Sequence, residues 1–230
     1  MREAVKIGQK QSTRGDLEHE VVDYSQRLHQ RGWVANHDGN ISVRLEENRF
    51  LITPTAVSKG DVERSKLLVV DERGQRVSGR YRPFSEMNLH LYAYRQRPDI
   101  RVVMHAHPPT ATGFAVAGVE IISTMMAEPV VSLGDVIPTV PYALPKTPES
   151  TLNMAPALVQ SDAFLLQNHG VITVGPDLET AFLRMELVEH LAKIQLVAQQ
   201  LGGASFIPYG DIEHLMGARA KAGLGPQGRT

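Results

Sequence analysis

The stretch Arg101-Val102-Val103-Met104-His105-Ala106-His107-Pro108-Pro109 carries the reading of the chain. Val102 to Met104 is an apolar run, and the two prolines remove backbone donors and stop it, so residues 101–107 read as a strand. Side chains at i and i+2 of a strand share a face. The His105 and His107 imidazoles therefore project together at a strand end, as two neighbouring ligands of one metal require. Neutral imidazole suits zinc and its neighbours. The pair alone fits two ordinary core or surface histidines equally well.

Working outward, the strand has partners. Residues 41–45 and 49–53 alternate as a strand pair. Residues 67–71 form a short apolar strand with the turn Glu72-Arg73-Gly74-Gln75 behind it. Residues 163–167 and 171–174 are strands broken by Asn168-His169-Gly170. Helical spacing marks 16–31, 110–117, 148–160 and 177–201, the last with Ala181, Met185, Val188, Leu191, Ile194 and Ala198 on one stripe. Residues 85–97 read as a helix with Ser85 as N-cap and Pro98 just past the end. Strands and helices are mixed and the early strands look antiparallel, which predicts a layered α/β or α+β sheet with helices on its faces. A loose arm is expected over 1–14, a single domain over 15–210 and a C-terminal tail over 211–230.

The chain has 230 residues, 42% of them apolar and 21% charged, an ordinary globular composition. Lys plus Arg number 24 and Asp plus Glu 25, so the basic excess of a nucleic-acid or anionic-membrane binder is missing. No stretch approaches the ~20 apolar residues that cross a bilayer, and the first residues lack a signal-peptide core, so a cytoplasmic location is expected. There are no cysteines, which excludes disulfides, thiol nucleophiles and thiolate metal sites. A metal would have to use the nine histidines, the carboxylates or the amides.

His169 is the best third ligand, because it too ends an apolar strand and has a glycine behind it; a histidine capping a hairpin would look the same. His19, His29, His190 and His214 lie among charged residues and read as solvated. His90 shares a helix face with Glu86, and His37 is ambiguous. Glu86 in a helix first turn is either a favourable charge at the dipole or a general base or fourth ligand. Gly39-Asn40-Ile41-Ser42 and Thr53-Pro54-Thr55-Ala56-Val57-Ser58-Lys59 suit phosphate or sugar oxygens, and suit plain turns as well. Lys59 and Arg82 lie near these loops, with ordinary surface solvation as the simpler expectation. Dinucleotide, P-loop and nucleophile-elbow motifs are absent from the sequence.

Taken in order, Gly39-Asn40-x-Ser42, Thr53-Pro54-Thr55, Ser85-Glu86, His105-x-His107-Pro108 and Leu165-Leu166-Gln167-Asn168-His169-Gly170 resemble the class II aldolase/adducin family, closest to its L-fuculose-phosphate aldolase-like branch. The resemblance implies a three-layer α/β/α sandwich with a central, largely antiparallel sheet. It implies Zn2+, or another divalent metal such as Mn2+ or Co2+, on His105, His107 and His169. Glu86 would be the catalytic acid/base, with Gly39, Asn40, Thr55 and Ser85 at the substrate phosphate. A small carbohydrate substrate, a retro-aldol cleavage through an enediolate and a homotetramer with sites at subunit interfaces are implied as well. An epimerase, dehydratase or decarboxylase on the same scaffold, or an adducin-like non-catalytic module, are the alternatives. Three positions depart from the family pattern. Ala56 stands where a glycine is usual, Phe84 stands where a serine is usual, and Met125-Met126 stands where a proton-donating tyrosine is expected. Tyr209 is a candidate aromatic from a neighbouring subunit.

Overall fold

The computed structural model describes residues 13–46 and 48–226. Its strands are β1 (Asn40–Glu46), β2 (Arg49–Ile52), β3 (Leu68–Asp71), β4 (Arg76–Ser78), β5 (Val102–Ala106), β6 (Thr139–Val140), β7 (Ala163–Leu166) and β8 (Gly170–Gly175). They form one sheet in the order β4-β3-β2-β1-β5-β8-β7-β6. The β6–β7 pair is parallel and the other neighbours are antiparallel.

The helices are α1 (Arg14–Gln30), α2 (Met87–Gln96), α3 (Pro109–Ala117), α4 (Ala127–Leu133), α5 (Pro148–Leu152), α6 (Ala155–Gln160), α7 (Leu178–Gln200) and α8 (Tyr209–Lys221). The period of two along β5 sorts them into layers. Val102, Met104 and Ala106 join one core with α1, α3 and α7, while Val103 joins the other with α2 and α6. The fold is thus a three-layer α/β/α sandwich around a largely antiparallel sheet. His105 falls in step with Val103 and so faces the α2 layer. Among the described residues no helix is long and apolar enough to cross a membrane.

Several elements differ from expectation. The helix expected from Ser85 begins at Met87, and its cap position is Glu86, whose side chain bonds no helix N–H. The single helix expected over 148–160 is two, α5 and α6, because Pro156 has no N–H to continue the ladder. On α7 the stripe holds at Ala181, Met185, Val188 and Leu191, which are fully buried, and weakens at Ile194 and Ala198. Strands β4 and β6 and helix α4 were not anticipated.

Residues 1–12 of the expected arm lie outside the described residues, while Thr13 caps α1 with Asp16 closing the capping box. Much of the expected tail over 211–230 is α8 instead. Its apolar residues are not deeply buried, so it carries little amphipathic signal. It docks through Arg219, only 4% exposed, which donates to the Val131 and Ser132 carbonyls at the end of α4 at 2.8 and 2.7 Å.

Candidate metal and acid–base site

The site forms where β1 meets the end of β5. Asn40 pairs with His105 across these strands, and β8 lies on the other side of β5 with Val171 opposite Ala106. The N-terminus of α2 delivers Glu86 from one sheet face, and the β7–β8 turn delivers His169.

One ligand nitrogen each from His105, His107 and His169 lies within 4.8 Å of the others. Nε2 of His105 and Nε2 of His107 are 3.0 Å apart. Nδ1 of His105 is 2.9 Å from the Val171 carbonyl, which can only accept, so the proton sits on Nδ1 and the Nε2 lone pair points into the cluster. His107 has Asp38 Oδ2 at 3.4 Å from its Nδ1. With both outer nitrogens facing acceptors, two lone pairs are turned toward one another. A cation between them would relieve that opposition. A four-coordinate ion at about 2.0–2.1 Å from each nitrogen spaces its ligands by about 3.4 Å, against 3.0 Å for the His105–His107 pair and at most 4.8 Å within the set. The three imidazoles therefore fit a divalent transition metal.

Glu86 closes the cluster. Its Oε1 is 2.8 Å from His169 Nε2, and its Oε2 accepts from Asn40 Nδ2 at 2.8 Å and lies 3.7 Å from His105 Nε2. Burial alone would raise its pKa, but His105 and the bonds from His169 and Asn40 outweigh burial and hold the carboxyl well below the usual range. It stands as a carboxylate. Burial pushes His105 down to about 3, with Glu86 opposing, and lowers His107 too. Both are thus neutral near pH 7, the form a metal takes.

Gly170 is needed here for space rather than for a tight turn. A Cβ on it would stand 2.5 Å from His107 Cδ2 and 2.6 Å from the Ala106 carbonyl oxygen. The residue in the left-handed region of this turn is Asn168, two positions earlier, at φ 58°. Gly39 needs both freedoms: its φ is 69°, and a Cβ would meet Val34 at 2.5 Å and the His105 carbonyl at 3.0 Å.

Ser85 lines a cavity of about 160 Å³ with Glu86, His169, Tyr142 and Lys146. Thr55 is tied to the segment leading to Glu86, its N–H donating to the Arg82 carbonyl at 3.1 Å. Ser42 does not face the cluster; its hydroxyl bonds His90 Nδ1 at 2.7 Å and Tyr94 at 2.9 Å in the core. Asn40 Oδ1 is buried without a partner. Ala56 occupies the left-handed region at φ 58°, where glycine costs less. The Phe84 ring does not enter the cavity: it is 7% exposed and packs edge-on against His90 at 4.9 Å. Met125 and Met126 lie half-buried against the core, and Tyr209 is 77% exposed.

Sequence reasoning misplaced Lys59. It is 1% exposed, and its ammonium donates to the Val57 and His37 carbonyls at 2.9 and 3.3 Å. Asp38 and Glu189 were missed. Glu189 of α7 is buried and accepts from the Ala111 and Thr110 N–H groups at 2.8 and 3.3 Å, capping the helix that follows His107. Adjacency to Gly39-Asn40 was the only clue to Asp38, and nothing local marked Glu189. His19, His29, His190 and His214 are exposed, as expected.

Acid should destabilise the metal-free protein. His90 and His105 are both pushed down to about 3, mainly by burial. A histidine lowered in the folded state favours folding above its unfolded pKa of about 6.5, and that contribution drains away as pH falls toward 3. Glu86 adds the same sign below its own ordinary range, near 4.5. Tm of the chelated protein is therefore expected to fall steadily from pH 7 to pH 5. His90→Asn should flatten the slope, and a Tm independent of pH over that window would contradict the burial of these rings as neutral groups.

Comparison with known proteins places this geometry. Residues 19–196 match the family described as Class II Aldolase and Adducin N-terminal domain. The L-fuculose phosphate aldolase of Escherichia coli K12 is 33% identical over 185 residues, covering 80% of this chain and 84% of the relative. The 3-oxo-tetronate 4-phosphate decarboxylase of Haemophilus influenzae is 30% identical over 184 residues, covering 78% and 86%. A solved L-fuculose 1-phosphate aldolase superposes with a TM-score of 0.81 at 29% identity, over 89% of this chain and 96% of that one. With five ordered motifs, a matching fold and enzyme relatives of nearly its own length, the chain belongs to the class II aldolase and adducin family, on its enzyme side.

Proposed function

We propose that this protein is a divalent-metal-dependent aldolase that cleaves a ketose phosphate, or a related ketose, by a retro-aldol reaction. The observation that supports this best is the pair of imidazole nitrogens opposed at 3.0 Å, with the Glu86 carboxylate beside them. His105, His107 and His169 would hold Zn2+, or Mn2+ or Co2+, which when bound would supply Lewis-acid polarisation of a substrate carbonyl. In cleavage the substrate hydroxyl gives its proton to solvent water, its oxygen becomes the aldehyde carbonyl, and the electron pair of the broken carbon–carbon bond passes to the carbonyl side as an enediolate. Glu86 carries the proton at the enediolate carbon, returning it in cleavage and removing it in synthesis. Asn40 keeps Glu86 oriented. Gly39, Asn40, Thr55 and Ser85 are the proposed contacts for the phosphate. Phe84 has no hydroxyl and packs into the core, so Ser85 alone offers one from the Phe84-Ser85 pair.

Decarboxylation of a 3-oxo acid phosphate is the second reading, favoured by the Haemophilus influenzae relative at comparable identity. It needs the same polarised carbonyl and the same return of a proton to carbon. A homotetramer is proposed as well, supported by the exposed Phe206 and Tyr209 and by the exposed Leu196, Val197 and Leu201 on and just after α7.

Purified protein should carry about one transition metal per chain, and chelation should lower its Tm. A metal-free protein whose Tm ignores chelator would overturn the metal-dependent reading. A screen of ketose phosphates, free ketoses and 3-oxo acid phosphates, assayed for aldehyde and for carbon dioxide, separates the two reactions.

A further inference from the structure

The three imidazoles do not have equivalent outer partners. His105 Nδ1 is held by a carbonyl, whereas His107 Nδ1 faces a carboxylate, Asp38 Oδ2, at 3.4 Å. At that distance the contact is electrostatic more than a short hydrogen bond. It acts on a ring that is only partly covered, with 26% of the side chain exposed, so packing alone leaves the ring some freedom.

What holds Asp38 in place lies behind it. Its own N–H bonds the Ala35 carbonyl at 2.9 Å, and Asn36 at φ 50° and Gly39 at φ 69° bend the chain on either side. The buried Lys59 ammonium donates to the His37 carbonyl, one residue before Asp38, and to Val57, so it joins the 36–39 loop to the 57–59 segment. Burial lowers the Lys59 pKa to about 8, while the negative charge of Asp38 acts to raise it. Two carbonyls and the nearby Asp38 charge offset the cost of burying this ammonium, so the 36–39 loop and Lys59 hold one another in place.

We propose that Asp38, held by Lys59, is a positioning residue that keeps His107 in its Nδ1–H form with Nε2 directed into the cluster, and so sets how tightly the three histidines hold a divalent metal. A carboxylate behind a ligating imidazole fixes its tautomer and raises its basicity, and losing such a partner typically costs 10–100-fold in metal affinity. The inference rests on the metal-site reading of the cluster and is independent of the substrate.

The test uses Co2+ and the full chain. Metal-free protein is titrated with Co2+ against a chromophoric chelator, and visible absorption is recorded. Asp38→Asn, half-exposed and close in shape, should bind Co2+ about 10–100-fold more weakly, with altered visible bands. Asp38→Glu should recover much of the loss. Lys59→Met should weaken binding too, and in the double variant with Asp38→Asn the losses should fall short of their sum, because the lysine acts through the aspartate. If Lys59→Met does not fold, the Asp38 variants decide alone. Wild-type affinity and an unchanged spectrum in Asp38→Asn would overturn the proposal while leaving the metal site standing. No Co2+ binding by the wild-type chain would overturn the metal site itself, and the proposal with it.

Discussion

Glu86→Gln is expected to lose about 10²–10⁴-fold in kcat while retaining its metal, because a positioned proton-transfer group supplies roughly that factor. The carboxylate touches three partners, Asn40, His169 and His105, and none of them can take over proton transfer at carbon without leaving its own bond. The amide keeps the shape and can still accept from Asn40. It cannot carry a proton to or from carbon at neutral pH. Solvent-exchange NMR on the enediolate-side product should therefore show no deuterium entering at the reacting carbon, with metal content near one per chain. Normal exchange in this variant would remove Glu86 from the proton-transfer role and leave the metal reading intact.

Gly170→Ala is expected to dismantle the site by adding one methyl group. The new Cβ would meet the His107 ring at 2.5 Å and the Ala106 carbonyl oxygen at 2.6 Å. The ring is the end of a side chain and can rotate aside, but the carbonyl belongs to β5, paired with β8 through Ala106 and Val171. Relief requires moving backbone in the centre of the sheet. Overpacking of this kind costs about 1–3 kcal/mol of stability. Displacing a reacting group by about 1 Å costs on the order of 10²-fold in rate. Urea unfolding, Co2+ titration and activity should all fall together. Wild-type metal affinity in Gly170→Ala would show that the cluster tolerates a displaced His107 and does not depend on the space Gly170 leaves.

Much of this site was legible in the chain itself. A strand's period of two puts His105 and His107 together whatever surrounds them, and Pro108-Pro109 marks where the strand stops. The same local logic places His169 after the apolar run 163–166. It failed where a side chain's role depends on a distant element. The local pattern left Glu86 between a charge for its own helix and a base or ligand, and only the distant Asn40 and His169 draw its carboxylate off the helix end. Lys59 looked like a solvated surface charge, yet the chain closes over it and presents two carbonyls. Phe84 stood only as an apolar ring in place of the usual serine, and nothing local told that the core beside His90 accepts it.

By itself, then, the sequence determined the kind of chemistry: neutral ligands with no thiolate, one carboxylate at a helix start, and strands that alternate between two cores. Only the tertiary structure decided the state of each group. The pairing of Asn40 with His105 brings β1 against β5, and the pairing of Ala106 with Val171 sets a carbonyl behind one imidazole. These contacts join residues 65 apart in the first case and 66 in the second (from Asn40 to His105, and from His105 to the Val171 carbonyl), so no local pattern encodes them. Proton positions follow from such contacts because an imidazole must donate where its neighbour can only accept.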